Sequence, residues 1–182
     1  MHSAALERGA EADPVFASFL ASQAAEGRAL AEASDILRLE VWPAPPPHFL
    51  AEFACRGLVR EAGGAIRPVE GFRVGIYFPP DYLRRSVSAF EMLRLYTPGV
   101  WHPNASPELP VLCIGRITPG TGLVEILHRI FELLSYQRYN AREPEALNKE
   151  ACAWVRQAEN RRRFPIDPRP LRRRQERGVI EL

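Results

Sequence analysis

Lysine is almost missing from this 182-residue chain, although the chain carries 24 Lys and Arg residues. Lys149 is the only lysine, and the other basic side chains are arginines. These positive charges are nearly balanced by 22 Asp and Glu residues, which leaves a net charge of +2. So small a net charge argues against a protein that works mainly by coating nucleic acid or a membrane surface. Apolar residues make up 46% of the chain, which is enough for a hydrophobic core and excludes disorder throughout.

Cysteine is also scarce, with three residues at Cys55, Cys113 and Cys152. An odd number of cysteines without a CxxC pair fits neither a disulfide framework nor a zinc ribbon, so we expect no metal and no cofactor. Unpaired cysteines are typical of a reducing compartment. No stretch approaches the roughly 20 apolar residues of a membrane-spanning helix, and the first apolar run is too short for a secretory signal. We therefore expect a cytoplasmic protein that does not act at a membrane.

The first half of the chain predicts one helix followed by four strands. Asp13 and Pro14 form a helix start, and the apolar spacing extends this helix to about Ala33. Alternation of apolar and polar residues then indicates strands. The predicted strands span residues 37–42, 48–60, 72–78 and 90–97. The first two are separated by a proline-rich connector over residues 43–47.

The second half begins with a long irregular segment over residues 98–122, which holds five prolines and four glycines. Loops of this length inside a compact domain are usually functional. Two amphipathic helices are predicted after it, one over residues 123–134 and one from about Pro144 to Ala158. Because strands and helices are segregated along the chain, we predict the α+β class with a four-stranded antiparallel meander.

Eight arginines lie between Arg161 and Arg177, beyond the last apolar pattern. We therefore place one domain over residues 1–160 and an arginine-rich C-terminal tail over residues 161–182. A solvated extension is the simpler interpretation of this tail, and contact with an acidic partner or with nucleic acid is the alternative. The tail lacks interleaved aromatic residues, which argues against binding of single strands, so nucleic acid is not an expected partner.

Cys113 is the residue that most strongly suggests chemistry. A lone cysteine in an apolar run is usually a small core residue. Cys113 lies instead in the proline- and glycine-rich segment, where the short stretch 111–114 could hold it with its thiol at a surface. A hydrolase that pairs Cys113 with His102 or His128 is an alternative, but no local signature supports it. Metal binding by the same residues lacks the spacing that ligands on one helix face would need.

Six short pieces follow one another in a defined order along the chain. They are an N-terminal helix, YFPPDY at 77–82, TPGVWHPN at 97–104, CI at 113–114, TP at 118–119 ahead of a helix containing IL at 126–127, and EALNKEA at 145–151. In these pieces and their order the chain resembles the ubiquitin-conjugating enzyme family over about residues 14–158. The resemblance implies a ubiquitin-conjugating α+β fold with a long active-site loop and C-terminal helices.

The resemblance also implies an acyl transferase. Enzymes of this family accept the C-terminal acyl group of a ubiquitin-like modifier from an activating enzyme, as a thioester on a cysteine, and pass it to an amine of a target protein. By this resemblance Cys113 carries the thioester, because a thiolate attacks well and leaves readily. Asn104 either donates to the oxyanion or braces the loop. His102 orients the loop through hydrogen bonds, and Glu145 positions or deprotonates the acceptor lysine.

Three departures from the family's pattern indicate a divergent, bacterial member. Cys113 comes nine positions after Asn104, which exceeds the family's usual spacing, Leu83 replaces a proline, and Ile117 stands near the place of a tryptophan. Such a member would act with its own ubiquitin-like modifier, activating enzyme and deconjugating protease, and antiphage defence is the setting that this branch suggests. The alternative is a catalytically inactive scaffold of the same fold that binds a modifier or a partner enzyme.

Overall fold

The computed structural model describes residues 13–42, 48–140 and 142–172. Its elements are α1 (Pro14–Glu32), β1 (Leu37–Trp42), β2 (His48–Arg60), β3 (Ile66–Tyr77), α2 (Ala89–Met92), β4 (Leu93–Leu95), α3 (Leu123–Leu134), a 3-10 turn (Glu143–Glu145), α4 (Lys149–Arg156) and α5 (Ala158–Arg161). The protein is therefore mixed α+β, with an N-terminal helix and a four-stranded antiparallel sheet. The predicted connector over residues 43–47 lies outside the described residues.

Helix α1 begins where the sequence predicts. The Asp13 carboxylate accepts hydrogen bonds from the N–H groups of Val15 (3.0 Å) and Phe16 (3.4 Å), which would otherwise lack partners at the helix start. Pro14 occupies the first turn, where its missing N–H costs nothing. One face of α1, including Phe16 and Leu20, is buried against β1 and α3.

The sheet follows the order β1-β2-β3-β4, so each strand pairs with its neighbours along the chain. Leu39, Ala51, Val74 and Leu95 stand opposite one another in the register and form one row across all four strands. The inner face of the sheet packs against α1 and α3, and the main hydrophobic core lies between them. The predicted bounds of β1 and β2 are confirmed, and β3 begins six residues earlier than predicted because its first part pairs with the end of β2.

The prediction of a fourth strand over residues 90–97 is wrong in its first part. The chain forms the short helix α2 over Ala89–Met92 before β4, because the backbone N–H of Ser88 donates to Glu91 Oε1 (3.1 Å) and closes a capping box. Only Leu93–Leu95 pairs with β3.

The second predicted C-terminal helix is interrupted. Residues Glu143–Glu145 form a 3-10 turn, and α4 begins only at Lys149, because the Asn148 side chain accepts from the N–H of Ala151 (2.9 Å) and caps the helix. Gln157 has an extended ψ of 126°, which separates α4 from α5. Helix α3, in contrast, has the predicted bounds.

The part of the predicted arginine-rich tail that the structure describes, residues 161–172, is anchored to the domain by three side chains, and residues 173–182 lie outside the described residues. Phe164 stacks its ring on Trp154 with centroids 5.5 Å apart, and Leu171 is buried at 2% exposure. Asp167 is buried as well and bonds to Arg169. The packed domain therefore extends past residue 160, where the apolar helical pattern ends but irregular apolar contacts continue.

Candidate active site

The loop before Cys113 folds as a tight hairpin. The N–H of Cys113 donates to the carbonyl of Asn104 (2.8 Å), and the N–H of Ser106 donates to the carbonyl of Val111 (3.0 Å). These bonds leave residues 107–110 as the tip. The eight residues between Asn104 and Cys113 therefore bring the two side by side instead of separating them.

The buried ring of His102 is hydrogen-bonded to the start of this hairpin from the protein interior. Its Nδ1 accepts the N–H of Asn104 (3.0 Å), so its Nε2 carries the ring proton and donates to the carbonyl of Arg138 (3.2 Å). The ring is 1% exposed, and burial lowers the pKa of His102 to about 3. A neutral ring with both nitrogens bonded orients the loop and has no free nitrogen to act as a base.

The side chain of Asn104 ties three segments together. Its Nδ2 donates to the carbonyl of Cys113 (3.2 Å), and its Oδ1 accepts the N–H of Asn140 (3.2 Å). The side chain of Asn140 in turn donates through Nδ2 to Glu145 Oε2 (2.6 Å). Asn104, Asn140 and Glu145 thus form one hydrogen-bonded line that starts at the backbone of Cys113.

Cys113 opens onto a cleft of about 430 Å³. Asn104 and Glu145 line this cleft, whereas His102 does not. The remaining lining comes from Ile114, Gly115, Arg129, Leu133, Arg138, Tyr139, Asn140 and Arg142. Three of the four residues predicted to form the site therefore meet at one cleft, and the fourth supports it from the interior.

The three cysteines differ in access. All are unpaired, but Cys55 and Cys152 are fully buried, whereas Cys113 is partly exposed. Burial, together with the nearby carboxylate of Asp167, raises the pKa of Cys55 to about 12, so this thiol stays protonated. Cys113 is thus the cysteine that a macromolecular substrate can reach.

An aromatic cluster supports the segment that carries Arg138 and Asn140. Tyr136 ends α3 with a φ of 59°, a left-handed conformation that glycine usually takes at a helix end. Its hydroxyl donates to the carbonyl of Trp101, and its ring lies 4.9 Å from that of Phe164. These contacts hold the strained residue in place, so the C-terminal segment supports the wall of the cleft.

Tyr82, the last residue of the YFPPDY piece, is hydrogen-bonded to the segment that leads into α3. Tyr82 is fully buried, and its hydroxyl lies 2.5 Å from the carbonyl of Thr121 and 3.0 Å from that of Thr118. Ile117 is also fully buried and pairs with Val87 rather than lining the cleft.

The pKa of His102 makes stability depend on pH. In the unfolded chain the ring has its ordinary pKa of 6.5, so below pH 6.5 the unfolded state binds a proton that the folded state does not. The contribution of His102 to the free energy of unfolding is therefore fully present above pH 6.5 and is lost as the pH falls toward 3. At pH ~5.5 the expected loss is about 1.4 kcal/mol relative to pH ~7.5. Urea unfolding over this pH range measures it.

His102→Asn is the test variant, because its Oδ1 keeps an acceptor near the N–H of Asn104. It should be less stable overall but should lack this pH dependence. His48→Asn, at an exposed position of β2, should keep the pH dependence of the parent. If His102→Asn shows the same pH dependence as the parent, His102 is not the group responsible.

The cleft brings together the kinds of group that nucleophilic acyl transfer uses, namely a reachable thiol, a side-chain amide donor beside it and a carboxylate in the same lining. Among the described residues, no group of three or more His, Cys, Asp or Glu is arranged to hold a metal ion. Likewise, no helix in the described ranges is both long enough and apolar enough to cross a bilayer.

The sequence motifs do not indicate Asn140 or the arginines that line the cleft. Arg129 lies on α3, whereas Arg138, Asn140 and Arg142 lie in the segment after α3, which belongs to no motif, and only the fold brings these residues to Cys113. Comparison of the chain with models of known protein families, and with curated proteins, found no match.

Proposed function

We propose that the protein is a ubiquitin-conjugating-like enzyme with the fold of that family, which carries a ubiquitin-like modifier as a thioester on Cys113 and transfers it to an amine of a target protein. The observation that carries this proposal is the cleft itself. A partly exposed Cys113 lies there beside Asn104, and Asn140 links Asn104 to Glu145.

Charging is a thiol exchange at an acyl carbon. The thiolate of Cys113 attacks the carbonyl that joins the modifier to its activating enzyme. A new C–S bond to Cys113 forms, the C–S bond to the activating enzyme breaks, and that enzyme's thiolate leaves. Because the bond that breaks and the bond that forms both belong to thioesters, the step needs no further source of energy.

Transfer is an aminolysis. The amine nitrogen attacks the thioester carbonyl, a C–N bond forms, the C–S bond breaks, and sulfur leaves as a thiolate. The proton released by the amine goes to water or to a carboxylate, and Glu145 is the carboxylate that lines the cleft. An amide nitrogen carries two hydrogens, and the carbonyl of Cys113 takes one of those on Asn104. The other hydrogen on Asn104 Nδ2 donates to the oxyanion that develops at the acyl group during transfer.

This function requires an activating enzyme, a ubiquitin-like modifier and a target protein, with a deconjugating protease as a further partner. A bacterial cytoplasm and a role in antiphage defence are the proposed setting. The arginine-rich composition with one lysine favours a GC-rich bacterial genome. An activating-enzyme gene and a modifier gene beside the gene for this protein would support the assignment.

A non-catalytic scaffold of the same fold is the second candidate. The observation that favours it is the side chain of Asn104, which already bonds at both its oxygen and its nitrogen. If these bonds are its whole role, the cleft binds a partner without accelerating transfer.

The test uses a probe that does not depend on the natural modifier, a dye-labelled peptide ending in Gly-Gly and activated as the thioester of mercaptoethanesulfonate. The parent protein should gain a dye adduct that excess thiol removes, because Cys113 exchanges with the leaving thiol. Cys113→Ala should gain none, and Cys113→Ser should give a thiol-resistant ester or nothing. Cys152→Ala, at a buried cysteine, is the matched control and should be labelled like the parent.

The rate of transfer to lysine distinguishes a conjugating enzyme from a non-catalytic scaffold. The charged protein should pass the peptide to free lysine about 10²-fold faster than the glutathione thioester of the same peptide does, which is the effect of one well-placed oxyanion donor. Labelling of Cys113→Ala at the parent's rate would refute the assignment of the nucleophile. Transfer no faster than that from glutathione would support the scaffold.

A further inference from the structure

Two arginines that line the Cys113 cleft make no hydrogen bond through their guanidinium groups to any described residue. Arg138 Nη1 lies 3.9 Å from Glu132 Oε2, and Arg142 Nη1 lies 4.0 Å from Glu145 Oε1, both beyond hydrogen-bond distance. Their side chains are 65% and 82% exposed. Both guanidiniums are therefore available to a ligand that enters the cleft.

The acidic groups around the cleft are mostly engaged elsewhere. Glu125 pairs with Arg129, the third arginine of the lining, and Glu143 pairs with Arg156 at 2.9 Å. Among the described residues that line the cleft, Glu145 is the only carboxylate. The cleft therefore presents one carboxylate together with two arginines whose only ion pairs among the described residues, to Glu132 and to Glu145, are long at 3.9 and 4.0 Å, so that a carboxylate of a ligand can replace or join them.

The acid and one of these cations are held in a fixed relation by Asn140. Asn140 Oδ1 accepts the N–H of Arg142 (2.9 Å), while Asn140 Nδ2 donates to Glu145 (2.6 Å). The N–H of Asn140 itself donates to Asn104 (3.2 Å). The backbone of Arg142 and the carboxylate of Glu145 are therefore anchored to the hairpin that carries Cys113.

We propose that the cleft selects acceptor segments in which the reacting amine is flanked by carboxylates. This inference rests on the proposed function. An acceptor ammonium is drawn to Glu145, and carboxylates beside it then reach the guanidiniums of Arg138 and Arg142, which bind carboxylates in a bidentate geometry. We assign the carboxylates to the acceptor rather than to the modifier, because Arg142 and Glu145 are anchored together. An amine at Glu145 places its own neighbours at Arg142.

The size of the selection follows from the exposure of these arginines. An exposed ion pair is worth about 1.5- to 5-fold in binding, so two pairs should favour an acidic acceptor over a neutral one by roughly 10-fold. Because exposed charges are screened over roughly 8 Å at physiological ionic strength, the preference should shrink at high salt.

The experiment compares three acceptor peptides of equal length, with one lysine flanked on both sides by aspartate, asparagine or arginine. The protein is charged with the Gly-Gly thioester probe, and the rate of transfer to each peptide is measured at low and high salt. We expect the aspartate peptide to react fastest at low salt. The preference should be lost in the double variant Arg138→Gln/Arg142→Gln.

Arg94→Gln is the matched control, because it removes an exposed positive charge on β4 that does not line the cleft. It should keep the preference of the parent. Equal rates for the aspartate and asparagine peptides in the parent protein would overturn the proposal, as would a preference that survives in the double variant.

Two further measurements distinguish a failure of the proposed function from a failure of this inference. Binding of the same peptides to the uncharged protein, measured by fluorescence anisotropy, tests the acidic selection even if no thioester forms. Loss of charging alone would count against the proposed function, whereas loss of selective binding would count against this inference. A second thioester probe has aspartates before Gly-Gly. If its charging rate, and not the transfer rate, depends on the two arginines, the carboxylates belong to the modifier and the proposal is overturned.

Discussion

The double variant Phe164→Ala/Leu171→Ala should lose about 5 kcal/mol of unfolding free energy, since truncating a buried Leu costs 2–5 kcal/mol and a half-buried Phe somewhat less than its full 3–5 kcal/mol. Leu171 is 2% exposed, and Phe164 packs on Tyr136 and Trp154. Leu171 belongs to the main hydrophobic core, whereas Phe164 packs against a second cluster that includes Tyr136, so their costs should nearly add. Urea unfolding measures the effect as a lower midpoint at an unchanged slope.

Ile166→Ala is the matched control, because Ile166 lies between the two positions but is 49% exposed. It should change stability by less than about 0.5 kcal/mol. Proteins truncated after Asn160 and after Arg172 offer a second comparison. The difference between their free energies of unfolding is the contribution of residues 161–172. A double variant as stable as the parent would show that this segment contributes nothing to the fold.

Asn104→Ala should still form the thioester but should discharge it to lysine about 10²-fold more slowly, the cost expected for one lost oxyanion donor. The thiol of Cys113 is untouched, so the loss appears in transfer and not in charging. Single-turnover discharge of the Gly-Gly probe measures it directly.

Asn104→Asp keeps one part of the loop brace while removing the oxyanion donor. Its Oδ1 can still accept the N–H of Asn140, but without Nδ2 it can donate neither to the carbonyl of Cys113 nor to the acyl oxygen. If the donor matters, Asn104→Asp should charge normally and discharge as slowly as Asn104→Ala. If the brace is the main role, Asn104→Ala should lose thermal stability and charging together, and Asn104→Asp should retain more of both.

Those parts of the fold that local rules determine were predicted well. The bounds of β1, β2 and α3 follow from alternation and helical spacing, and α1 follows from the cap at Asp13. The error at residues 90–97 is instructive, because Ser88 and Glu91 already carried the spacing of a capping box. Alternation of apolar and polar residues predicts a strand there, but the capping box starts a helix first.

The site was predictable only in part. Motif order pointed to Cys113, Asn104 and Glu145, and these residues do line one cleft. Asn140 and Arg142 come to the cleft through the left-handed turn at Tyr136. A tyrosine in that conformation has no sequence signature, since its stability depends on tertiary contacts such as the bond to Trp101.

The packing of residues 161–172 was not predictable from periodicity. This segment contains no regular element after α5, so its apolar residues follow neither a helical nor a strand spacing. Asp167 is buried because it accepts the N–H of Arg56 (3.4 Å) and that of Arg169 (3.1 Å). The pKa of Asp167 is lowered mainly by its hydrogen bond with Arg169. Such contacts appear only once β2 and the C-terminal segment are placed together.

The hairpin between Asn104 and Cys113 fixes the positions of these two residues independently of the length of the loop that joins them. Its backbone pairs fix the two residues relative to each other, while residues 107–110 project beyond the last pair at Ser106 and Val111. Insertions and deletions at that tip leave the paired register intact, because they only lengthen or shorten the turn. The length of the tip is therefore independent of the geometry of the site. The backbone pairing alone keeps Asn104 beside Cys113.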